Sequence, residues 1–254
     1  MQVTKQGILF DLYGTLLNIE TDESMEEIYR GIANYLTYQA IYLEHWELKE
    51  LYYQIIRAQK DESAEEYPEI NLESIWTIFL KRQGVRSAPW RKKLAKVLAQ
   101  MYRGLSRKRL QLYSEVSTVL DELRATYRMA VVSDGQPCYV LPELRAVGLD
   151  GYFDPIVISA DYGFRKPDRR LIQRALNIMN LTTREVLFVG NDMYRDIYAA
   201  SQLGIQTIFF ASNQGQQSYG DTMPDCVVTQ FKDVLAAVQT LSGSEAQEQL
   251  SFEG

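Results

Sequence analysis

Residues 7–17 read GILFDLYGTLL, and this stretch decides the fold. Residues 7–12 form an apolar run of strand length that meets Asp11 and then a Gly14-Thr15 turn, the pattern of a buried parallel strand with an open carboxyl end. Runs of the same kind recur at 129–133 (MAVVS), 156–159 (IVIS), 186–190 (VLFVG) and 207–210 (TIFF), each beside a helix-like stretch. From about residue 110 onwards strand and helix alternate. That alternation predicts an α/β fold, a Rossmann-like doubly wound parallel sheet with right-handed crossovers.

The first strand is followed by something different. Residues 18–109 lack β-branched runs and place Met25, Ile28, Ile32, Tyr35 and Leu36 at helical spacing, which predicts an all-helical insert. The charged, proline-bearing stretch 61–70 (DESAEEYPEI) and Ser87-Ala88-Pro89 mark helix boundaries within it. The expected organisation is a core of residues 1–17 and 110–241, a helical insert of 18–109, and a polar, frayed tail from 242 to 254. The insert tyrosines Tyr29, Tyr35, Tyr38, Tyr42, Tyr52 and Tyr53 read as insert core or as an interface compatible with a homodimer.

Composition narrows the chemistry. The 254 residues carry a formal charge of -6, which argues against nucleic acid and leaves room for a small anionic substrate held by a few local cations. No apolar run approaches the roughly 18 residues of a membrane helix, and the N-terminus shows no cleavage signature, so a cytoplasmic protein with no membrane partner is expected. Cys138 and Cys226 match no metal or redox spacing. The single histidine, His45, sits in the helical insert, which disfavours triads, Cys-His dyads and His-rich zinc sites. Carboxylates, lysine and hydroxyls remain.

In an open parallel sheet ligands bind beyond the carboxyl ends of the strands, where strand order reverses. Polar residues do follow the apolar runs: Asp11, then Ser133 with Asp134 and Gly135, then Asn191 and Asp192. Lys166 lies in GFRKPD after the third run, where Pro167 suits a first helical turn. Asp11 beside Lys166 is a plausible nucleophile that forms an ester later cleaved by water. Thr15 and Ser133 would donate from hydroxyls, and backbone N–H groups of the turn at Gly14 would cradle an anion. The competing reading makes Ser133 a helix cap, and pairs Asp192 and Asp196 with Arg195 or a helix terminus.

These residues resemble the motifs of the haloacid dehalogenase (HAD) superfamily. Asp11-Leu12-Tyr13-Gly14-Thr15-Leu16 is similar to the first motif, Ser133 to the second, Lys166-Pro167 to the third, and Gly190-Asn191-Asp192 through Asp196 to the acidic fourth. The resemblance spans residues 6–235. It implies a cap after the first motif, Asp11 as covalent nucleophile, and catalytic roles for Tyr13, Thr15, Ser133 and Lys166. Gly14, Asp134, Gly135 and Asn191 would bind substrate, and Asp11, Asp192 and Asp196 would hold Mg²⁺.

Two departures keep the reaction open. Tyr13 stands where phosphatases of the family carry a second aspartate as general acid, and the dehalogenases of the family share this tyrosine. A halide leaves without a proton, whereas a phosphomonoester deprived of a general acid loses about 10²–10⁴-fold. Against dehalogenation, Asp192 and Asp196 retain a DxxxD spacing that phosphatases use, Ile172 and Met193 replace expected polar residues, and no insert arginine, Arg57 included, stands out as a match. The expectation is a Mg²⁺-assisted phosphatase. The alternatives are a metal-independent 2-haloacid dehalogenase and a non-catalytic binding protein.

Overall fold

The structure, a computed structural model, describes residues 4–243. After β1 (Gly7–Phe10) and β2 (Leu17–Thr21) come four helices, α1 (Glu26–Thr37), α2 (His45–Asp61), α3 (Leu72–Arg82) and α4 (Ala88–Ser106). Then follow β3 (Arg107–Leu112), α5 (Val116–Leu123), β4 (Arg128–Ser133), α6 (Pro137–Ala146), β5 (Ile156–Ile158), α7 (Arg169–Met179) and β6 (Val186–Gly190). A π-helical segment, Met193–Tyr198, runs into the short α8 (Ala199–Ser201), and β7 (Gln206–Phe210), β8 (Cys226–Val228) and α9 (Asp233–Ser242) complete the chain. The expected tail falls almost entirely outside the described residues.

Six parallel strands form the sheet in the order β5-β4-β1-β6-β7-β8. The five apolar runs all fall on strands, and β8 is a short edge strand that its CVV sequence does not announce. Phe10 of β1 lies opposite Val131 of β4 and Val189 of β6. Successive strands lie on one side of β1 and then on the other, so strand order reverses at β1. The residue that leaves its carboxyl end, Asp11, therefore sits at the crevice where such sheets bind ligands.

The continuous apolar runs follow from burial on both faces. Ile8, Phe10, Val131 and Val189 pack with Val119, Leu144 and Val234 of α5, α6 and α9. Their neighbours Leu9, Ala130, Val132 and Phe188 pack with Leu171 and Ala175 of α7 and Ala199 of α8. The period of two along each strand thus feeds two cores.

Helices α1 to α4 build a third core, between β1 and β4 in sequence. Ile28, Tyr29, Ile32, Ala33 and Leu36 form one stripe of α1, and Tyr52 stacks on Trp76 at 4.9 Å. Tyr29 and Tyr52 belong to this core, whereas Tyr38 and Tyr42 are exposed. Cys138 of α6 is buried in the same cluster, so α6 serves as a wall shared with the sheet domain. Truncating Trp76 or Phe79 here would cost about 3–5 kcal/mol.

The junction differs from expectation. Residues 17–21 and 107–112, placed at the ends of an all-helical insert, pair as an antiparallel ribbon with a bulge between Glu20 and Thr21. The expected boundary at residue 110 falls inside β3. The alternation in RKRLQL is hidden by its three charges, since Arg107 and Arg109 are only partly exposed and pair with Glu143 and Glu20. Pro167 also differs: it precedes the helix cap Asp168, and α7 begins at Arg169.

Candidate active site

Asp11 is fixed through its backbone, whose N–H donates to Val189 O at 2.9 Å, and the residue is 6% exposed. The Lys166 ammonium, reaching in from the loop before α7, donates to Asp11 Oδ1 at 2.6 Å, to Asp196 Oδ1 at 2.6 Å and to Val132 O at 3.0 Å. All three of its protons are used. The Thr15 hydroxyl lies 2.9 Å from Asp11 Oδ2 and 3.0 Å from Asn191 Oδ1, so its one proton is offered to either acceptor.

Two glycines make these approaches possible. Gly14 has φ +93°, and a side-chain carbon there would stand 2.3 Å from Asn191 Nδ2. A side-chain carbon on Gly190 would stand 2.4 Å from Asp196 Cβ, which lets Asp196 fold back under the end of β6. Asp196 Oδ2 then accepts from the N–H groups of Asn191 at 3.1 Å and Asp192 at 3.0 Å.

One buried ammonium faces two buried carboxylates, so the trio carries a net negative charge. Burial opposes the charged form of Lys166, but Asp11 and Asp196 outweigh it and hold the lysine above its ordinary value. Burial first, and then repulsion from Asp11, push Asp196 up to about 6 against the pull of Lys166. Lys166 rises because two carboxylates share it, whereas Asp196 rises because it is buried beside Asp11.

The resulting cavity, about 190 Å³, is lined by Asp11, Tyr13, Asp134, Lys166, Asn191 and Arg195 among others. A second, of about 310 Å³, opens between the sheet domain and the helical insert and shares Tyr13, Asp134 and Arg195 with the first. A groove of about 700 Å³ on the insert shares none of these residues and brings no lysine to a carboxylate.

Polar ties around the second cavity join insert to sheet domain. Gln136 accepts from Leu72 N at 3.0 Å and donates to Ile70 O at 2.7 Å. Glu69 accepts from the Ser159 hydroxyl at 2.7 Å, and burial raises its pKa. The Tyr13 hydroxyl donates to Glu143 Oε2 at 2.5 Å, and Glu143 also accepts from Arg103 and Arg107. Burial, with Glu143 beside it, holds Tyr13 well above the usual phenol range.

Several expected residues stand elsewhere than anticipated. Ser133 is fully buried, its hydroxyl 3.3 Å from Asp134 O, and does not line the first cavity. The Gly14 N–H is spent on Leu17 O at 2.8 Å, so this amide of the turn is not open to an anion. Asp134 Oδ1 accepts from Lys166 N at 2.9 Å, while its Oδ2 lies 3.8 Å from Arg165 and 4.0 Å from Arg195. Gly135 lines the second cavity and donates to the Ser159 hydroxyl.

The expected Mg²⁺ set is not assembled. Asp192 caps the π-helical segment through the N–H groups of Tyr194 and Arg195, and its outer oxygen accepts from the Arg195 guanidinium at 3.0 Å and from Gln216 N at 3.2 Å. Burial opposes the charged form of Asp192, and these donors outweigh it, so its pKa is lowered. Asp11 and Asp196 meanwhile share Lys166. Among the described residues, no three carboxylate, histidine or cysteine side chains converge in a geometry that could hold a metal ion. The ion-pair reading of Asp192 describes its surroundings better.

Arg103, Glu143 and Arg195 were not singled out as site residues from sequence. Glu143 lies in PCYVLPELRA and its partners lie 36 to 130 residues away, so no local spacing reveals it. Only Arg195, beside Asp192 in a DxxxD segment, carried a readable signal.

Comparison with known proteins identifies the family. The profile of haloacid dehalogenase-like hydrolases matches residues 8–210. A glyceraldehyde 3-phosphate phosphatase of Pyrococcus abyssi is 32% identical over 84 residues, 33% of this chain and 35% of that protein. A phosphoglycolate phosphatase of Yersinia pestis is 31% identical over 131 residues, 50% of this chain and 56% of its own length. The chain thus spans about half or less of these relatives. In solved structures, a 2-haloacid dehalogenase from Pseudomonas syringae pv. Tomato DC3000 superposes with a TM-score of 0.68 at 22% identity, covering 93% of this chain and 98% of that one, which shows a shared fold. With its sheet reversing at Asp11 and four segments meeting there, the chain belongs to the haloacid dehalogenase-like hydrolase family.

Proposed function

We propose that the protein hydrolyses a small phosphorylated compound through an aspartyl-phosphate on Asp11. The observation that carries this reading is Lys166, which bridges Asp11 and Asp196 inside a cavity that Asp11 lines at the sheet's reversal point. A carboxylate oxygen of Asp11 attacks phosphorus, and the bond to the leaving oxygen breaks with its electron pair on that oxygen. Water then attacks phosphorus, the bond to Asp11 breaks, the carboxylate is restored, and the water's surplus proton passes to solvent. Lys166 and Thr15 hold the nucleophile's orientation through both steps. The phosphatases among the relatives support a phosphorylated substrate. The helical insert would act as the cap, contributing the second cavity where the remainder of the substrate lies.

No step is assigned to a metal, since Asp192 is engaged by Arg195. The test is turnover of p-nitrophenyl phosphate by the wild type and by Asp11→Asn, each with added Mg²⁺ and with EDTA. Turnover that vanishes in Asp11→Asn supports the reading. Absence of turnover in the wild type under every condition sinks it.

Tyr13 favours a second reading, dehalogenation of a 2-haloacid, because its hydroxyl is tied to Glu143 and a halide needs no proton. There Asp11 attacks carbon and halide departs with the bonding pair. Chloride release from 2-chloropropionate separates the two.

A further inference from the structure

Resting on the phosphoryl-transfer reading, we infer that Asp134 is the general base of its second half, taking the proton of the water that cleaves the aspartyl-phosphate on Asp11. Asp134 follows the carboxyl end of β4, the strand beside β1, so it leaves the sheet next to the nucleophile. The Lys166 backbone N–H donates to Asp134 Oδ1 at 2.9 Å, while the ammonium of the same residue holds Asp11. One residue thus places both carboxylates.

In-line displacement sends the leaving group away from Asp11, from the first cavity toward the second, and brings the water in along the same line. Among the described residues, Tyr13, Asp134 and Arg195 are the three that line both cavities. The Tyr13 hydroxyl is spent on Glu143, and burial holds that phenol protonated. The Arg195 guanidinium, beside Asp192, is held protonated as well. Asp134 is therefore the one base at the junction.

Its carboxylate also has capacity to spare. Asp134 Oδ2 is, among the described residues, the one buried side-chain oxygen without a hydrogen-bond partner. The charged groups around it are Arg165, Arg195 and Lys166, with Glu69 on the insert. Arg165 and Arg195 stand 3.8 and 4.0 Å from Oδ2, too far to donate to it, and their side chains are 40% and 42% exposed. A phosphoryl group entering between the cavities draws these guanidinium groups to itself and opens Oδ2 to water.

The neighbouring groups are committed elsewhere. Asp196 takes Lys166 on one oxygen and two backbone N–H groups on the other, and Asp192 takes backbone N–H groups and Arg195. The Lys166 protons and the Thr15 hydroxyl serve to hold Asp11. Glu69 and Glu23 line the second cavity alone; both Glu69 oxygens are occupied, by Ser159 and Ile70 N, and Glu23 lies 3.4 Å from the Tyr102 hydroxyl. An aspartate is ordinarily ionised at neutral pH and so able to accept a proton. As the water oxygen bonds to phosphorus, its proton passes to Asp134, the P–O bond to Asp11 breaks with its electron pair on the Asp11 carboxylate, and Asp134 then releases the proton to solvent.

The experiment follows p-nitrophenyl phosphate, whose leaving group departs without a proton, in the wild type and in Asp134→Asn, with Mg²⁺ present. The asparagine retains an oxygen to accept from Lys166 N and loses only the base. Phosphorylation of Asp11 should proceed in the variant as in the wild type, giving a burst of p-nitrophenol of about one per chain. Loss of the phosphoryl group after the substrate is removed should be at least ~100-fold slower in the variant, the size of a missing general base. Equal decay in the two proteins overturns the inference, as does slowing of phosphorylation and decay alike, which marks a structural disturbance of the site. Slow decay in Glu69→Gln with normal decay in Asp134→Asn also overturns it, in favour of Glu69. Wild type that neither takes up phosphoryl nor releases p-nitrophenol defeats the phosphoryl-transfer reading itself, and the inference with it, by a distinct signature.

Discussion

The Tyr13 hydroxyl and the Glu143 carboxylate meet at 2.5 Å, joining the loop after the central strand to α6. Arg103 of α4 completes the contact from the helical insert, donating to both Glu143 oxygens while its guanidinium lies 5.1 Å from the Tyr13 ring centroid. A position next to the nucleophile is thereby occupied by a structural tie between insert and sheet domain.

Removing one side of that tie leaves charge buried. Glu143 is 3% exposed, so Arg103→Leu should lower stability by about 3–5 kcal/mol in urea denaturation. Adding Glu143→Met should recover most of the loss, since the uncompensated carboxylate is then gone. A loss below about 1 kcal/mol for the single variant would mean that Arg107 and Tyr13 suffice to hold Glu143.

The same logic applies at Lys166. Lys166→Met leaves Asp11 and Asp196 buried together without their shared cation, and should cost about 3–5 kcal/mol as well as turnover. Asp196→Asn in that background should restore part of the stability and none of the activity. Equal stability of wild type and Lys166→Met would show that the lysine is not the cation balancing the pair.

Asp196 gives stability a pH dependence. Its folded pKa, about 6, lies above that of an unfolded aspartate, so the native state binds the proton more tightly and ionisation costs stability as pH rises from about 4 to about 6. Asp196→Asn lacks this cost. Relative to wild type it should gain on the order of 1–3 kcal/mol between pH 4 and pH 7, read from denaturation midpoints at each pH. A difference independent of pH would contradict the assignment.

Much of this was legible in the sequence and some was not. Asp11, Thr15, Lys166 and Asp196 follow apolar runs or sit at loop starts, so the rule that sheets bind at strand carboxyl ends finds them. The ribbon of β2 and β3 was missed because its strands are only five and six residues long and the three charges of RKRLQL mask the alternation that sets Leu110 and Leu112 against the core. The roles of Arg195 and Glu143 depend on side-chain direction and on partners far away in sequence. Asp192 illustrates the limit: spacing places it near Asp196, but only the fold shows it turned to Arg195.

That orientation sets an expectation for metal binding. Calorimetric titration of EDTA-stripped protein with Mg²⁺ should show about tenfold tighter binding in Arg195→Gln than in the wild type, because the guanidinium no longer neutralises Asp192. Equal affinities would exclude Asp192 as a ligand.

The most direct test of the central claim is mass spectrometry of acid-quenched protein after brief mixing with acetyl phosphate or p-nitrophenyl phosphate. A transient gain of one phosphoryl group, mapped to the peptide carrying Asp11 and absent in Asp11→Asn, is the result expected. Turnover without any modification of that peptide, or with modification persisting in Asp11→Asn, would contradict Asp11 as the covalent nucleophile.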